Sequence, residues 1–75
     1  MSQRKYIFSM HLTAEQVLWY YQGHIKSVVV QADSGERVQL ELRHFKPFIR
    51  HEGVKARFEL VTSLYGNFIS LKKIN

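Results

Sequence analysis

Two segments of the chain alternate between apolar and polar side chains. The apolar positions are Val38, Leu40 and Leu42 in the first segment, and Val54, Ala56, Phe58 and Leu60 in the second. Because successive side chains of a β-strand point to opposite faces, a period of two residues predicts a strand with one buried face. We therefore expect two such strands, whose seven apolar side chains share one dry interior.

Three further strands are predicted around these two. Lys5–Leu12 also alternates, and the second strand is rich in β-branched valine, which favours strands. The five predicted strands are, in chain order, Lys5–Leu12, Lys26–Ala32, Arg37–Arg43, Val54–Thr62 and Phe68–Ile74. Turn residues separate the second strand from the third and the fourth from the fifth. Both of these pairs are therefore expected to form hairpins.

One short helix is predicted between the first two strands. Thr13 and Gln16 have the spacing of a capping box, in which each side chain accepts a hydrogen bond from the other residue's backbone N–H. The helix is expected over Ala14–Gln22, with Gly23 as its C-terminal stop. Its predicted buried face consists of Ala14, Val17, Leu18 and Tyr21.

The connection His44–Gly53 is expected to be irregular, because Pro47 cannot donate to a strand ladder. Its apolar residues predict that it folds back over the sheet edge or a barrel mouth. Residues 1–75 then form a single α+β domain, mainly β, in the order β-α-β-β-β-β. We expect either a curled five-stranded antiparallel sheet or a partly open small barrel, with the short helix over one end or face.

Composition excludes several classes of protein. The 75 residues contain no cysteine, which excludes a disulfide scaffold, thiolate chemistry and a cysteine-based zinc site. No apolar stretch is long enough to predict a membrane-spanning helix. The absence of cysteine also fits a reducing compartment.

No pattern of catalytic or ligand residues emerges from the chain. The four histidines lack the spacing of known metal motifs, and the four glycines are isolated and match no phosphate-binding loop. No serine lies in a Gly-x-Ser-x-Gly setting. We therefore expect a non-enzymatic protein with no cofactor and no metal.

Positive charge is concentrated in one part of the chain. The formal net charge is +5, and the segment from Arg43 to Arg57 holds five cations and one anion. The third and fourth strands are expected to be neighbours, so their outward cations should share one face. The candidate basic face is Arg37, Arg43, Lys46, Arg50, Lys55 and Arg57. With Phe45, Phe48 and Phe58 nearby, this face resembles the basic, aromatic surfaces that bind single-stranded nucleic acid. The competing explanation is that these aromatic rings pack in the core and do not contact a ligand.

A second candidate surface lies on the predicted helix. Trp19 is off the predicted buried face, and with Tyr20 it could form an exposed aromatic patch. Tryptophan and tyrosine are favoured anchors at protein interfaces. The alternative is that Trp19 packs within its own chain. Strand five, with Lys72 and Lys73, is expected at a sheet edge, where the lysines oppose strand pairing unless a second copy pairs there.

Blocks along most of the chain resemble the domain of unknown function 2835 family, which comprises short, uncharacterised bacterial proteins. The blocks are Tyr20–Gly23, Val28–Val30, Asp33–Gly35, Arg37–Gln39, Leu42–Arg43, Pro47–Phe48, His51–Val54, Arg57–Phe58 and Ile69–Ile74. The resemblance implies a stand-alone cytoplasmic protein and transfers no site residues. Leu40-Glu41 stands where the family pattern has Phe-Pro, and Ala56 stands where it has Gly.

These observations predict a small binding or protein-interaction module, whose partner is another protein or a second copy. The alternative is a module that binds RNA or single-stranded DNA through the basic face.

Overall fold

Strands dominate the fold, as the alternating patterns predict. The computed structural model describes residues 2–75. Its elements are β1 (Gln3–Thr13), α1 (Ala14–Tyr21), β2 (Ser27–Gln31), β3 (Arg37–Glu41), a 3-10 helix (Leu42–Phe48), β4 (Gly53–Ser63) and β5 (Phe68–Lys73). All strand pairs are antiparallel. The predicted α+β, mainly β class and both predicted hairpins are confirmed.

The longest strand pair joins two segments that lie far apart along the chain. All eleven residues of β1 pair with β4, from Gln3 opposite Ser63 to Thr13 opposite Gly53. The hairpin partner β5 lies on the other side of β4, so this sheet has the order β1-β4-β5. Strand β4 is therefore central in this sheet and pairs with both other strands.

The five strands of residues 2–75 divide into two sheets, and these residues form no closed barrel. The hairpin of β2 and β3 is a separate sheet, so the expectation that the third and fourth strands are neighbours is wrong. One bridge, between Phe8 and Ala32, connects β1 to the end of β2. Next to it, the Asp33 N–H donates to the Ile7 carbonyl oxygen at 2.7 Å. On the opposite side, a cleft separates β3 from the β4–β5 hairpin.

Phenylalanine rings from three elements form the centre of the core. Phe58 on β4 lies 5.9 Å from Phe8 on β1, measured between ring centroids, and the two rings are stacked. Phe45 and Phe48 of the 3-10 helix meet the same Phe58 ring edge-on, at 5.3 and 5.2 Å. Of the seven side chains predicted to share the interior, five are buried, and Val38 and Ala56 pack against them. That prediction is confirmed.

The 3-10 helix replaces a segment that the sequence pattern assigns to strand and irregular loop. Strand β3 ends at Glu41, two residues before the predicted end. A 3-10 helix has three residues per turn, so Leu42, Phe45 and Phe48 lie on one face. Leu42 and Phe45 are fully buried there. The helix covers the core, as the apolar character of the connection predicts, but in a regular form.

Helix α1 begins and ends as predicted but buries a different face. The Gln16 N–H donates to Thr13 Oγ1 at 3.1 Å, and the Thr13 N–H donates to Gln16 Oε1 at 2.9 Å, so the capping box is present. The Gly23 and His24 N–H groups bond back to the last turn. Val17 is buried and Tyr20 packs against the core, whereas Leu18 and Tyr21 are exposed. The buried face of α1 is therefore rotated about the helix axis by about 80° from the predicted face, and the prediction of this face is wrong.

We expect Leu60→Ala to lower the free energy of unfolding by about 2–5 kcal/mol, because it leaves a cavity beside Phe58. Leu60 on β4 is fully buried. Urea unfolding followed by circular dichroism measures the change. The matched control is Leu64→Ala, which removes the same atoms from a leucine that is half exposed, and we expect a loss below about 1 kcal/mol. Equal losses in the two variants would contradict this description of the core.

We expect Gly53→Ala to be more destabilising than Gly35→Ala by at least about 1 kcal/mol. Both glycines have positive φ angles, +107° and +96°, so both substitutions strain the backbone. A Cβ at Gly53 would also overlap the carbonyl oxygen of Leu12, whereas a Cβ at Gly35 meets open space. Thermal unfolding of the two variants measures the difference, and similar midpoints would show that β1 and β4 do not approach this closely at Gly53.

Candidate functional site

Arg57 connects three parts of the fold on the outer face of the larger sheet. Its guanidinium donates to Ser9 Oγ on β1 at 2.9 Å and to the Asp33 carboxylate in the turn between β2 and β3. The side chains of Arg57 and Asp33 are 37% and 57% exposed. Because Asp33 balances its charge, Arg57 joins the two sheets and does not present a free positive charge to a partner.

The six residues of the candidate basic face do not lie on neighbouring strands. Arg37 belongs to the β2–β3 sheet, whereas Lys55 and Arg57 lie on β4 in the other sheet. Arg43, in the 3-10 helix, pairs with Glu41 at 3.2 Å. Lys46 lies in the same helix, and Arg50 follows it. The strand arrangement that motivated this face is therefore wrong, and two of its six cations are already paired.

A groove lies where β4 continues past the end of β5. Strand β5 pairs with β4 only from Phe58 to Thr62, and beyond Lys73 one further bond joins the Ile74 N–H to the Arg57 carbonyl oxygen at 3.0 Å. Within the described chain, residues 54–56 of β4 therefore have no strand partner on this side, and Gly53 is bridged to Arg50. We call this region, with its lining residues, the β4-edge groove.

Cations and apolar residues line the β4-edge groove together. It consists of two adjoining open depressions of about 610 and 230 Å³ that share Lys55, Ala56 and Lys73. The first is also lined by Ser9, Met10, His11, Arg57 and Asn75, and the second by Phe48, Arg50, Glu52, Gly53, Val54 and Phe58. Among the described residues, no carboxylate lies within 4 Å of the charged nitrogens of Arg50, Lys55 or Lys73. The groove is therefore positively charged above an apolar floor.

A second exposed surface lies on α1. Leu18, Trp19 and Tyr21 are 54%, 40% and 57% exposed, and we call these three side chains the α1 surface. Trp19 is therefore not buried within its own chain. Tyr20, predicted as its neighbour in the patch, instead packs against the core. The exposed partners of Trp19 are Leu18 and Tyr21, which the sequence pattern assigned to the buried face.

Further apolar side chains are exposed at the tip of the β4–β5 hairpin. Leu64, Tyr65, Phe68 and Ile69 are all exposed there, Tyr65 almost completely. The Phe68 ring stacks on the His44 ring of the 3-10 helix. The two ring centroids are 3.8 Å apart, and the two ring planes are nearly parallel. This stack lies at the cleft between β3 and the β4–β5 hairpin.

Comparison with known proteins places the chain in a family. A family model described as "Protein of unknown function (DUF2835)" matches residues 4–74. The chain belongs to this DUF2835 family. The resemblance seen in the sequence blocks is thereby confirmed over nearly the whole chain. No curated protein and no solved structure matches it.

Residues 2–75 contain neither a membrane-spanning helix nor a cluster of metal-ligating side chains. No helix of this DUF2835 protein combines the length and the apolar character needed to cross a membrane. The described part of the chain contains no group of three or more His, Cys, Asp or Glu side chains that could hold a metal ion.

Lys73 is a groove residue of this DUF2835 protein that the sequence analysis did not connect with Lys55. A usable signal was present, because the predicted fourth strand is longer than the predicted fifth. Antiparallel hairpin partners of unequal length leave part of the longer strand unpaired. No comparable signal identified the exposed side of α1, since four consecutive residues from Leu18 to Tyr21 are apolar or aromatic.

We expect a coupling energy of about 0.2–1 kcal/mol between Arg57 and Asp33 in a double-mutant cycle with alanine, because both side chains are partly exposed. The coupling should decrease as salt increases, since salt screens exposed ion pairs. Urea unfolding of the two single variants and the double variant, at low and high NaCl, measures it. A coupling near zero at low salt would contradict the role of Arg57 in joining the two sheets.

Proposed function

We propose that this DUF2835 protein is a small, non-enzymatic protein-interaction module that acts in the cytoplasm, and that the α1 surface is a contact site. The observation that supports this proposal most directly is the exposure of three large apolar side chains, Leu18, Trp19 and Tyr21, on one eight-residue helix. Several large apolar side chains exposed on one short element are typical of protein interfaces. Scattered single side chains would need no such explanation.

The composition of the α1 surface also favours a protein partner. Tryptophan and tyrosine contribute large, rigid contact areas and are enriched among the residues that dominate binding energy. Val17 and Tyr20 hold the opposite side of the helix against the core, so the exposed side chains are presented from a fixed element. A fixed surface loses less conformational entropy on binding than a mobile loop does.

Charge permits contact with a second copy at this surface. The chain carries a net charge of +5, which repels another copy at most approaches. Helix α1 is an exception, because its only charged residue is Glu15. Self-association through α1 therefore avoids the repulsion that cations elsewhere on the molecule would cause.

The nucleic-acid alternative has less support from the geometry. Phe45 and Phe58, two of the three rings predicted among the basic residues, have no solvent exposure and cannot stack on bases. Arg43 and Arg57 are each paired with a carboxylate. The exposed aromatic residues Trp19 and Tyr21 lie on α1, which carries no basic residue in its last turn.

The test places a photo-crosslinking amino acid at Tyr21. We expect a crosslink from this position to a second copy in the purified protein or to another protein in cells. The substitution Trp19→Gln in the same protein should reduce the crosslinked fraction at least tenfold, since interface tryptophans often dominate binding energy. Sedimentation velocity over a range of concentrations measures the self-associated fraction independently.

The positional control places the same photo-crosslinking amino acid at Gln31, an exposed residue of β2. Circular dichroism must show that Trp19→Gln remains folded, as we expect for a partly exposed residue. A crosslink of equal yield from Gln31, or no crosslink from Tyr21 in either setting, would contradict the proposed role of α1.

A further inference from the structure

The unpaired part of β4 exposes main-chain hydrogen-bonding groups. The Arg57 carbonyl oxygen accepts from the Ile74 N–H, so the main-chain groups of Arg57 point toward the β5 side. In an antiparallel strand, residues two apart point their N–H and C=O groups in the same direction. The N–H and C=O of Lys55 therefore also point toward this side, where no strand of the described chain pairs with them.

The pairing of β1 leads to the same assignment. The Ile7 carbonyl oxygen accepts from Asp33 on the side away from β4, so Phe8 directs its main-chain groups toward β4. Its partner Phe58 must then bond to β1, and the alternation along β4 turns Lys55 away from β1. Two independent observations thus agree that the main-chain N–H and C=O of Lys55 have no hydrogen-bond partner within the described chain.

The two ends of the open edge are closed by the chain itself. Ile74 occupies the position beside Arg57, and Arg50 forms a bridge with Gly53. From residue 53 to residue 57 an extended strand spans roughly 13 Å, so a segment of about three residues fits between these ends. The side chains around this gap are the cations Arg50, Lys55 and Lys73, the anion Glu52, and the apolar residues Phe48 and Ala56.

We propose that the β4-edge groove binds a short, extended, acidic segment of a partner protein by adding it as a strand to β4. The proposal rests on the assignment of this DUF2835 protein as a protein-interaction module, but its site is separate from α1. The main chain of the segment bonds to the N–H and C=O of Lys55. Its acidic side chains approach Lys55 and Lys73, and its apolar side chains pack toward Phe48 and Ala56.

A peptide fits this edge better than nucleic acid or a second copy does. The open groups at Lys55 are one donor and one acceptor, which a peptide main chain complements with its own C=O and N–H. Phosphates of nucleic acid only accept, and they would be repelled by the carbonyl oxygen. Edge-to-edge pairing of two copies of β4 would place the two Lys55 ammonium groups side by side, and like charges directly opposite destabilise a strand pair.

The test uses three capped six-residue peptides, of which the central residues pair with β4 and the terminal ones extend away from it. The first alternates Glu and Val, the second has Lys in place of Glu, and the third is the Glu–Val peptide with its two central amides N-methylated. Binding is measured by chemical-shift titration of the wild-type protein. We expect the Glu–Val peptide to bind and the Lys–Val peptide not to bind. N-methylation should weaken binding about fivefold, because it removes a main-chain hydrogen bond.

The location is tested by mapping and by matched variants. The backbone amides of Lys55 and Arg57 should shift most in the wild-type protein on addition of the Glu–Val peptide. Lys55→Gln and Lys73→Gln should each weaken binding about fivefold, whereas Lys5→Gln, the same charge change on exposed β1, should change it less than twofold. Affinity should also fall as NaCl increases.

Four outcomes would overturn the inference. These are equal binding of the N-methylated peptide, shifts centred away from β4, no binding at millimolar peptide, and binding of a single-stranded oligonucleotide at the same amides in preference to the Glu–Val peptide. Since none of these measurements involves α1, a failure here leaves the Tyr21 crosslinking result unaffected. Loss of that crosslink would in turn leave the peptide titration valid.

Discussion

The antiparallel pairing of β1 with β4 is the interaction on which the rest of the structure depends. It aligns Phe8 with Phe58 at the middle of two eleven-residue strands. The 3-10 helix then packs Phe45 and Phe48 onto the same Phe58 ring. The other elements attach to this pair: β5 through the second edge of β4, and the β2–β3 hairpin through Ala32 and Asp33.

The division into two sheets determines where interaction surfaces can form. A closed barrel has no free strand edges, whereas this fold leaves part of β4 unpaired and a cleft beside β3. Free edges invite pairing with other chains, and charged side chains commonly limit that pairing. Lys55 and Lys73 fit this protective role toward other strand edges, and the same charges make the edge selective for an acidic segment.

Sequence pattern predicted the parts of the fold that local chemistry specifies. Alternation located β1, β3 and β4, β-branched valines located β2, and the Thr13–Gln16 pair fixed the start of α1. The 3-10 helix was missed because the three-residue spacing of Leu42, Phe45 and Phe48 was not considered as a helical face. The sequence also did not predict which strands are neighbours, because no local pattern indicates that β1, rather than β3, pairs with β4.

The candidate surfaces were predicted less well than the fold, for related reasons. Trp19 was identified by its residue type, but the buried side of α1 is chosen by tertiary packing when most positions around a short helix are apolar. The candidate basic face was predicted on the assumption that the third and fourth strands are neighbours, and the structure shows that they are not. The β4-edge groove is formed by a difference in strand length that the predicted strands already indicate, but its position along β4 depends on the register of β4 and β5.

The pairing of the first strand with the fourth also has a consequence during synthesis. Contacts between residues 3–13 and 53–63 are distant along the chain, and such contacts slow folding because a long loop must close first. A nascent chain that ends before Ser63 lacks the full partner of its first strand and exposes an alternating apolar surface. The time between the emergence of β1 and that of β4 from the ribosome is therefore the period in which this protein is most exposed to aggregation and to chaperones.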